Sequence, residues 1–274
     1  SALLTIGDPP PVLHYAGKPD LLNRPALAIV GSRNATPQGR ENAEAFAAAL
    51  SAAGLTIVSG LAQGIDAAAH RGGLAGAGSS VAVVGTGIDR IYPAGNKALA
   101  HRLAAEGGLL SQFTLGTPPL PGNFPRRNRV ISGLVRGVLV VEATPNSGSL
   151  ITARFAAEQG REVFAIPGSI HSPFSKGCHR LIKDGAKLVE TAQDVLEELG
   201  LAPARASDRA WAGTPAPDGD AARVLAALGH DPADVDLLAE RTGLDASAIA
   251  VALVELELAG QVAQLLGGAF QRVM

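Results

Sequence analysis

The chain has a single cysteine, Cys178, among its 274 residues. An internal disulfide bond is therefore impossible, which excludes the small disulfide-stapled folds and is typical of a reducing compartment. No run of about 18 apolar residues without a charge occurs, so no membrane span is predicted. Because no secretory signal peptide is visible at the N-terminus either, we expect a cytoplasmic protein with no membrane partner.

Several catalytic motifs are also missing. The first predicted strand is not followed by G-x-G-x-x-G with an acidic residue about 20 positions later, and no G-x-x-x-x-G-K-[ST] occurs. Dinucleotide oxidoreduction and P-loop nucleotide hydrolysis are therefore disfavoured. His171, Cys178 and His179 have no fourth ligand nearby, so zinc is not predicted. No Ser/His/Asp set or carboxylate pair follows from the spacing, and we predict no catalytic residue, metal or cofactor.

Charge is unevenly distributed along the chain. The overall net charge is −2, yet residues 218–274 hold nine acidic and three basic residues, a net of −6. Residues 1–217 hold the other 20 basic and 16 acidic residues, a net of +4. A basic body followed by an acidic tail predicts two different binding partners.

Apolar runs of strand length alternate with segments of helical periodicity through most of the chain. This alternation predicts an α/β fold with a doubly wound, mainly parallel sheet and helices on both faces. The predicted strands are 26–31, 55–59, 80–85, 136–142, 162–166 and a weaker one at 186–189. The predicted helices are 38–53, 64–76, 96–106, 148–160, 175–184 and 191–199. Residues 12–15 are predicted as an edge strand and residues 113–135 as a long, Pro-rich loop of the kind that is usually functional or mobile.

The chain is predicted to divide into four segments. They are a Pro-rich lead-in at 1–24, the sheet domain at 25–200, a linker at 201–219 and a small domain at 220–274. In the small domain, helices near 221–229, 234–242 and 246–259 precede two apolar strands joined by Gly267 and Gly268. This order predicts a winged helix.

The last of these three helices, which is the expected recognition helix, carries Glu255 and Glu257 but no Lys or Arg. DNA phosphates repel such a surface. We therefore predict that the winged helix is a protein-interaction module or a dimerisation element.

Turns at the carboxyl edge of the predicted sheet are suited to bind phosphate. Amide groups at a helix N-terminus lack intrahelical partners, and the helix dipole favours negative charge there. The first turn supplies Gly31 for close backbone approach, the Ser32 hydroxyl and the Arg33 guanidinium. Several such turns along one edge favour a polyanion over one small ligand. The candidates in the later turns are Gln63, Ser147, Gly148 and Ser149.

The densest basic cluster of the chain lies at residues 124–129, beside an aromatic residue. An aromatic platform in a cationic groove is how single-stranded nucleic acid is held without strict sequence demands. The candidate binding residues in this cluster are Phe124, Arg126, Arg127, Asn128 and Arg129.

Other polar residues near this edge have more than one interpretation. Asp66 and His70 are four residues apart on one predicted helix face, which suits an acid/base pair, but a structural contact beneath the edge is favoured. Tyr92 either stacks on a base or covers the core. Gly85 permits close backbone approach, and Asn96 is a plausible N-cap of the next helix.

These motifs together resemble the DNA-processing protein A family, also called DprA or Smf. The matching blocks occur in family order and cover about residues 8–190, and the tail resembles the winged-helix domain of many members. The blocks are Val30-Gly-Ser-Arg-x-x-Thr36, Ser59-Gly-x-Ala-x-Gly-Ile-Asp66, Gly85-x-Gly-x-Asp89-x-x-Tyr-Pro93, Phe124-Pro-x-Arg-Asn-Arg129, Ser147-Gly-Ser-Leu-Ile-Thr-Ala153 and Val163-Phe-Ala-x-Pro-Gly168.

The resemblance implies an extended Rossmann-like fold without established catalytic chemistry. It implies a protein that binds single-stranded DNA, protects incoming strands in natural transformation and loads the RecA recombinase onto them for homologous recombination. It further implies that single-strand-binding protein is displaced and that the chain forms a homodimer. By motif position, residues 31–33 hold DNA phosphate and Phe124 with the following Arg/Asn group completes the site. The alternative is a nucleotide-binding or nucleotide-hydrolysing Rossmann-like enzyme of the phosphoribohydrolase type, whose P-G-G-x-G-T motif is absent here.

Overall fold

The structure, a computed structural model, describes residues 2–201, 219–229, 231–265 and 267–273. It contains two compact units, a larger one built on an eight-stranded sheet and a smaller one built on the C-terminal helices. The strands of the sheet are β1 (His14–Gly17), β2 (Ala26–Val30), β3 (Thr56–Ser59), β4 (Ser80–Val83), β5 (Gly108–Ser111), β6 (Gly137–Val140), β7 (Glu162–Ala165) and β8 (Lys187–Leu188).

The strands are ordered β1-β5-β4-β3-β2-β6-β7-β8, and every neighbouring pair is parallel except the antiparallel pair of β1 and β5. From β2 the chain adds β3, β4 and β5 on one side and then β6, β7 and β8 on the other. The order therefore reverses between β2 and β6. The carboxyl ends of these two strands form a topological switch point, where open α/β sheets bind their ligands.

Helices cover both faces of the sheet, and β2 shows why. Ala26, Ala28 and Val30 pack into one hydrophobic core, whereas Leu27 and Ile29 pack into a second core on the opposite face. All five side chains are buried, as expected for a parallel strand that is enclosed on both sides. The helices of this unit are α1 (Pro37–Ala52), α2 (Ile65–Ala75), α3 (Lys97–Glu106), α4 (Asn123–Leu134), α5 (Ser149–Glu158), α6 (Lys176–Lys183) and α7 (Ala192–Glu198).

The predicted α/β architecture is confirmed. Each predicted strand and helix between residues 26 and 199 lies within two residues of its observed bounds, and the edge strand predicted at 12–15 is observed as β1. The prediction missed β5, which pairs with both β4 and β1. Only Leu109 and Leu110 are apolar in this strand, and two residues are too few to produce a periodic signal.

The prediction of a loop over residues 113–135 is wrong for its second half, which forms α4. Pro125 favours a loop in the sequence, but it occupies the first turn of the helix. A missing N–H has no cost there, because amides in the first turn have no intrahelical acceptor. Residues 124–129 are therefore helical, which determines the directions of the basic side chains at the site.

The smaller unit contains α8 (Gly219–Leu228), α9 (Val235–Thr242), α10 (Ala246–Leu258) and the antiparallel pair β9 (Val262–Gln264) and β10 (Phe270–Arg272). Asp234 and Asp245 cap α9 and α10, because their carboxylates accept hydrogen bonds of 2.8 Å from the amides of Leu237 and Ala248. Three helices followed by a hairpin are the winged helix that the sequence predicts. Residues 202–218, most of the predicted linker, lie outside the described residues.

Across the described ranges, every helix is too short or too polar to cross a lipid bilayer.

Candidate nucleic-acid interface

A cleft of about 690 Å³ opens at the switch point between β2 and β6. It is bordered by the turn after β2, the start of α4 and the start of α5. Nine of the twelve predicted site residues line this cleft, although they come from three separate parts of the chain. These nine are Gly31, Ser32, Arg33, Phe124, Arg127, Asn128, Ser147, Gly148 and Ser149.

The turn after β2 presents one cation to the cleft. The side chain of Arg33 is exposed, and its guanidinium carbon lies 5.7 Å from the centroid of the Phe124 ring. Within the described residues no carboxylate forms a salt bridge with Arg33. Ser32 is buried, and its Oγ accepts a hydrogen bond of 3.2 Å from the amide of Asn34. Arg33 is therefore the side chain of this turn that is available to a phosphate.

Packing gives a second reason for glycine at position 31, besides the close approach of a ligand to the backbone. A Cβ at this position would lie 2.6 Å from Cγ1 of Ile65 and 2.9 Å from the carbonyl oxygen of Glu142. Glycine is thus required for packing between the turn and its neighbours, whether or not a ligand approaches the backbone.

Two aromatic rings form the wall of the cleft next to Arg33. The rings of Phe124 and Tyr92 are 5.7 Å apart between centroids and inclined by 45°. The Phe124 ring lies against the backbone of Gly85, where a Cβ would come within 2.8 Å of it. Tyr92 is 46% exposed and is absent from the predicted site residues. Its signal in the sequence is an aromatic residue shortly after the glycine-rich turn that follows β4.

Arg127 has a different environment from the one predicted for a solvent-facing basic cluster. The residue is only 5% exposed, and its Nη1 donates to the carbonyl oxygens of Gly60, at 2.6 Å, and Val83. Burial lowers the pKa of Arg127 to about 10, and the nearby carboxylate of Asp66 opposes this shift. Arg127 therefore joins α4 to the ends of β3 and β4 through its Nη1 group.

Asp66 lies beneath the same edge. Its Oδ2 accepts hydrogen bonds from the amides of Gly60, at 3.1 Å, and Ala62, at 3.3 Å. Burial raises the pKa of the Asp66 carboxyl, and the Arg127 guanidinium opposes that rise. The carboxylate holds the turn after β3 in place, which agrees with the structural interpretation of Asp66.

His70 is fully buried and makes its own separate contact, with its Nδ1 2.7 Å from Oγ of Ser80. Burial lowers the pKa of His70 to about 3, so the ring is neutral at pH 7. Asn96 occupies the predicted N-cap position of α3, but its side chain makes no capping hydrogen bond. Its Nδ2 instead donates to the carbonyl oxygens of Leu61, at 2.9 Å, and Ala62, at 3.2 Å. Asn96 thus holds the turn after β3, whereas His70 contacts the first residue of β4.

The start of α5 forms the opposite wall of the cleft. The hydroxyl oxygens of Ser147 and Ser149 are 2.7 Å apart, and Nδ2 of Asn128 donates to the carbonyl oxygen of Gly148 at 3.4 Å. The amides of residues 150 and 151 already have acceptors in the same turn. The groups of this wall that can interact with an anion are therefore the two serine hydroxyls, together with the helix dipole.

Three predicted residues do not line this cleft. Arg126 is exposed and lies 5.8 Å from the centroid of the Phe113 ring, whereas Nη2 of Arg129 bonds to Gln112 at 3.0 Å and pairs with Asp8 at 3.4 Å. A helix turns by about 100° per residue, so Arg126 and Arg129 project away from the face that carries Phe124 and Asn128. The third, Gln63, lines a smaller adjoining cavity of about 110 Å³ together with Arg33, Tyr92 and Phe124.

The fold defines a Rossmann-like protein with a cleft at the switch point of its sheet and a C-terminal winged helix. Residues 1–200 match the family model described as DNA recombination-mediator protein A, and residues 208–268 match the DprA winged helix domain. The chain belongs to the DNA recombination-mediator protein A family. It is therefore a DNA-binding protein of the DNA-processing, recombination-mediator class, and the family predicted from the motifs is confirmed.

Similar proteins are found in several bacteria. The chain is 46% identical to Protein Smf of Escherichia coli over 97% of this chain and 73% of that protein. The X-ray structure of DNA processing protein A from Streptococcus pneumoniae is 50% identical, with a TM-score of 0.69 over 72% of this chain and 69% of that one. A structure reported for the single-stranded DNA binding mode of DNA processing protein A from Helicobacter pylori is 30% identical, with a TM-score of 0.68 over 73% and 91% of the two chains.

Proposed function

We propose that the chain binds single-stranded DNA across the cleft between β2 and β6. Phosphate groups lie near Arg33 and near the hydroxyls of Ser147 and Ser149, and bases stack on Phe124 and Tyr92. The observation that carries this proposal is the position of an exposed guanidinium beside two aromatic rings, between two helix N-termini. The reported single-stranded DNA binding of the Helicobacter pylori relative supports it.

The aromatic rings favour a single strand over a duplex. A side chain stacks readily on a base of a flexible single strand, because that base is unpaired and can separate from its neighbours. A duplex offers phosphates but conceals the faces of its bases. Binding that uses both features therefore selects the single strand without reading its sequence.

We propose a wider role as well, in keeping with the family. The chain protects incoming single strands in the cytoplasm and loads RecA recombinase onto them, with displacement of single-strand-binding protein and with a homodimer as the active assembly. The family description as a recombination mediator supports this role. The protein acts by binding, without catalysing a reaction. The alternative of nucleotide hydrolysis gains nothing from Asp66, because this buried carboxylate is already bonded to two backbone amides.

The test is equilibrium binding of the full chain to labelled oligothymidylate and to a duplex of equal length, measured by fluorescence anisotropy across a salt series. We expect tight binding of the single strand that weakens linearly in a plot of log K against log salt, and much weaker duplex binding. Equal affinity for both would contradict a role for base stacking. Binding of mononucleotides but not of oligonucleotides would support the alternative enzyme class.

A further inference from the structure

The solvent-facing side of α10 in the winged helix carries a row of apolar side chains. Val251, Val254 and Leu258 expose 58%, 56% and 85% of their surfaces. Together with the exposed Ser247 they are separated by four, three and four residues, the spacing that places side chains along one helix face. Single exposed apolar residues are common on protein surfaces, but a continuous row of this kind marks an interaction site.

The opposite face of α10 already forms the core of the winged helix, through Ile249, Leu253 and Leu256. The exposed row is therefore not needed to fold this unit. The segment is rich in aliphatic residues because α10 has two apolar faces. The buried face packs in the core, and the exposed row packs against none of the described residues.

A groove of about 450 Å³ borders this row, between the beginning of α8 and α10. Small apolar side chains, those of Ala221, Ala248 and Ala252, form part of its lining. Its polar lining includes three carboxylates, which belong to Asp220, Asp245 and Glu255. A helix of another protein could therefore place apolar side chains on the row and in the groove while its polar flanks face acidic groups.

The charge of this unit indicates the chemistry of the partner. Residues 219–274 hold eight acidic and three basic residues, and α10 itself holds Glu255 and Glu257 without any Lys or Arg. Arg223 pairs with Asp220 at 3.1 Å, and Nη1 of Arg241 donates to a backbone carbonyl at 2.9 Å. Glu255 and Glu257, by contrast, form no salt bridge within the part of the chain that the structure describes.

This charge argues against two other occupants. A nucleic acid would place phosphates against carboxylates and would gain no counterion release from basic side chains. A second copy of the same face would bring Glu255 and Glu257 towards their own counterparts, and juxtaposed like charges disfavour association.

We propose that the α10 surface is a docking site for a basic, amphipathic helix of another protein. The apolar side chains of that helix pack on Val251, Val254 and Leu258, and its Lys or Arg side chains pair with Glu255 and Glu257. This site is separate from the DNA cleft, so its existence does not depend on the proposed DNA binding.

The test uses the full chain and three labelled helical peptides of about three heptads. The first has a Leu seam flanked by Lys, the second has Glu in place of Lys, and the third has Ser in place of Leu. We expect the basic, apolar peptide to bind at least tenfold more tightly than either of the others, and its affinity to fall as salt is added. Equal affinity for the three peptides, or no binding of the first, would overturn the proposal.

Two variants locate the binding surface. Val254→Ser/Leu258→Ser removes the apolar contacts, and Glu255→Lys/Glu257→Lys reverses the charge while leaving the apolar row intact. Each should weaken binding of the basic peptide at least tenfold. The matched controls are Val12→Ser and Glu240→Lys, which change exposed residues elsewhere and should leave peptide affinity unchanged. All four variants should bind single-stranded oligothymidylate as the parent chain does, which shows that the sheet unit remains folded.

The same variants distinguish two other occupants of this surface, which are a second copy of the chain and nucleic acid. Concentration-dependent self-association that Val254→Ser/Leu258→Ser abolishes, measured by analytical ultracentrifugation, would assign the row to a second copy of the chain. Duplex DNA binding that the same variant abolishes would assign it to nucleic acid. Either result overturns the proposal of a basic protein partner.

Discussion

The guanidinium carbon of Arg33 lies 5.7 Å from the centroid of the Phe124 ring, although the two residues are about 90 positions apart in the chain. They meet because the turn after β2 and the start of α4 both reach the switch point of the sheet. A cation–π contact at an exposed site contributes about 0.5–1 kcal/mol. That is enough to orient the long side chain beside the ring, where it can bind a phosphate whose base stacks nearby.

Replacing Arg33 with alanine should weaken single-stranded DNA binding by about 10- to 100-fold. Hydrogen bonds to a charged group contribute about 1.5–3 kcal/mol, which corresponds to this range. The loss should be similar for oligonucleotides of different sequence, because a phosphate contact carries no sequence information. The slope of log K against log salt should also decrease by about 0.7, since one fewer phosphate is neutralised. Fluorescence anisotropy across a salt series measures both quantities.

The matched control for this prediction is Arg126→Ala. Arg126 belongs to the same basic cluster in the sequence, but it is exposed outside the cleft beside Phe113. We expect its removal to change affinity by less than the removal of Arg33. An equal loss for both variants would show that the DNA path extends around α4, and that the cleft is not the main binding surface.

Replacing Phe124 with leucine should weaken single-strand binding while leaving the salt dependence unchanged. Base–aromatic stacking contributes about 1–3 kcal/mol per base, and leucine keeps an apolar side chain against Gly85 but provides no ring face. Phe124→Trp should retain most of the affinity, because the larger ring still stacks. If the leucine variant binds as tightly as the parent chain, then no base stacks on Phe124 in the complex.

Much of this architecture can be predicted from the sequence because the parallel strands are continuous apolar runs between helical segments. The start of α4 cannot be predicted from the sequence, since Pro118, Pro119, Pro121 and Pro125 all indicate a loop. In the structure, Pro125 occupies the first turn of the helix, which tolerates proline. The difference matters for the site. A loop could direct all its basic side chains towards one ligand, but a helix distributes them around its axis.

The burial of Arg127 is also beyond prediction from the sequence. Its acceptors are the carbonyl oxygens of Gly60 and Val83, at the ends of two strands that lie more than 40 residues earlier in the chain. The burial of Arg127 also explains the glycine at position 60, because a Cβ there would lie 2.5 Å from Nη1 of Arg127. Such a contact exists only once the sheet has formed, and local spacing carries no signal for it.

Replacing Arg127 with methionine should reduce the free energy of unfolding by about 1–3 kcal/mol, because it takes the donor from the carbonyl oxygens of Gly60 and Val83 and the cation that favours the ionised form of Asp66. Urea denaturation followed by circular dichroism measures this loss. The double variant Arg127→Met/Asp66→Asn should be less destabilised than the sum of the two single variants, since it also removes the uncompensated charge. If Arg127→Met retains full stability but loses DNA affinity, Arg127 is a direct DNA contact instead of a structural one.

The buried ring of His70 should make stability depend on pH in the acidic range. Its pKa is about 3 in the folded protein, against an ordinary value of about 6.5. Between these values the unfolded chain binds more protons than the folded one, so the free energy of unfolding falls as the pH falls through this window. The contribution of His70 is complete above about pH 6.5 and is lost towards about pH 3.

A comparison with His70→Asn isolates this effect, because other titrating groups such as Asp66 are common to both proteins. Asparagine keeps a polar side chain near the hydroxyl of Ser80 but does not titrate. The free energy of unfolding of the parent chain, relative to the variant, should decrease by about 2 kcal/mol between about pH 7.5 and pH 5. Urea denaturation at both pH values measures the difference. A stability difference that is the same at both values would contradict the lowered pKa of the buried His70 ring.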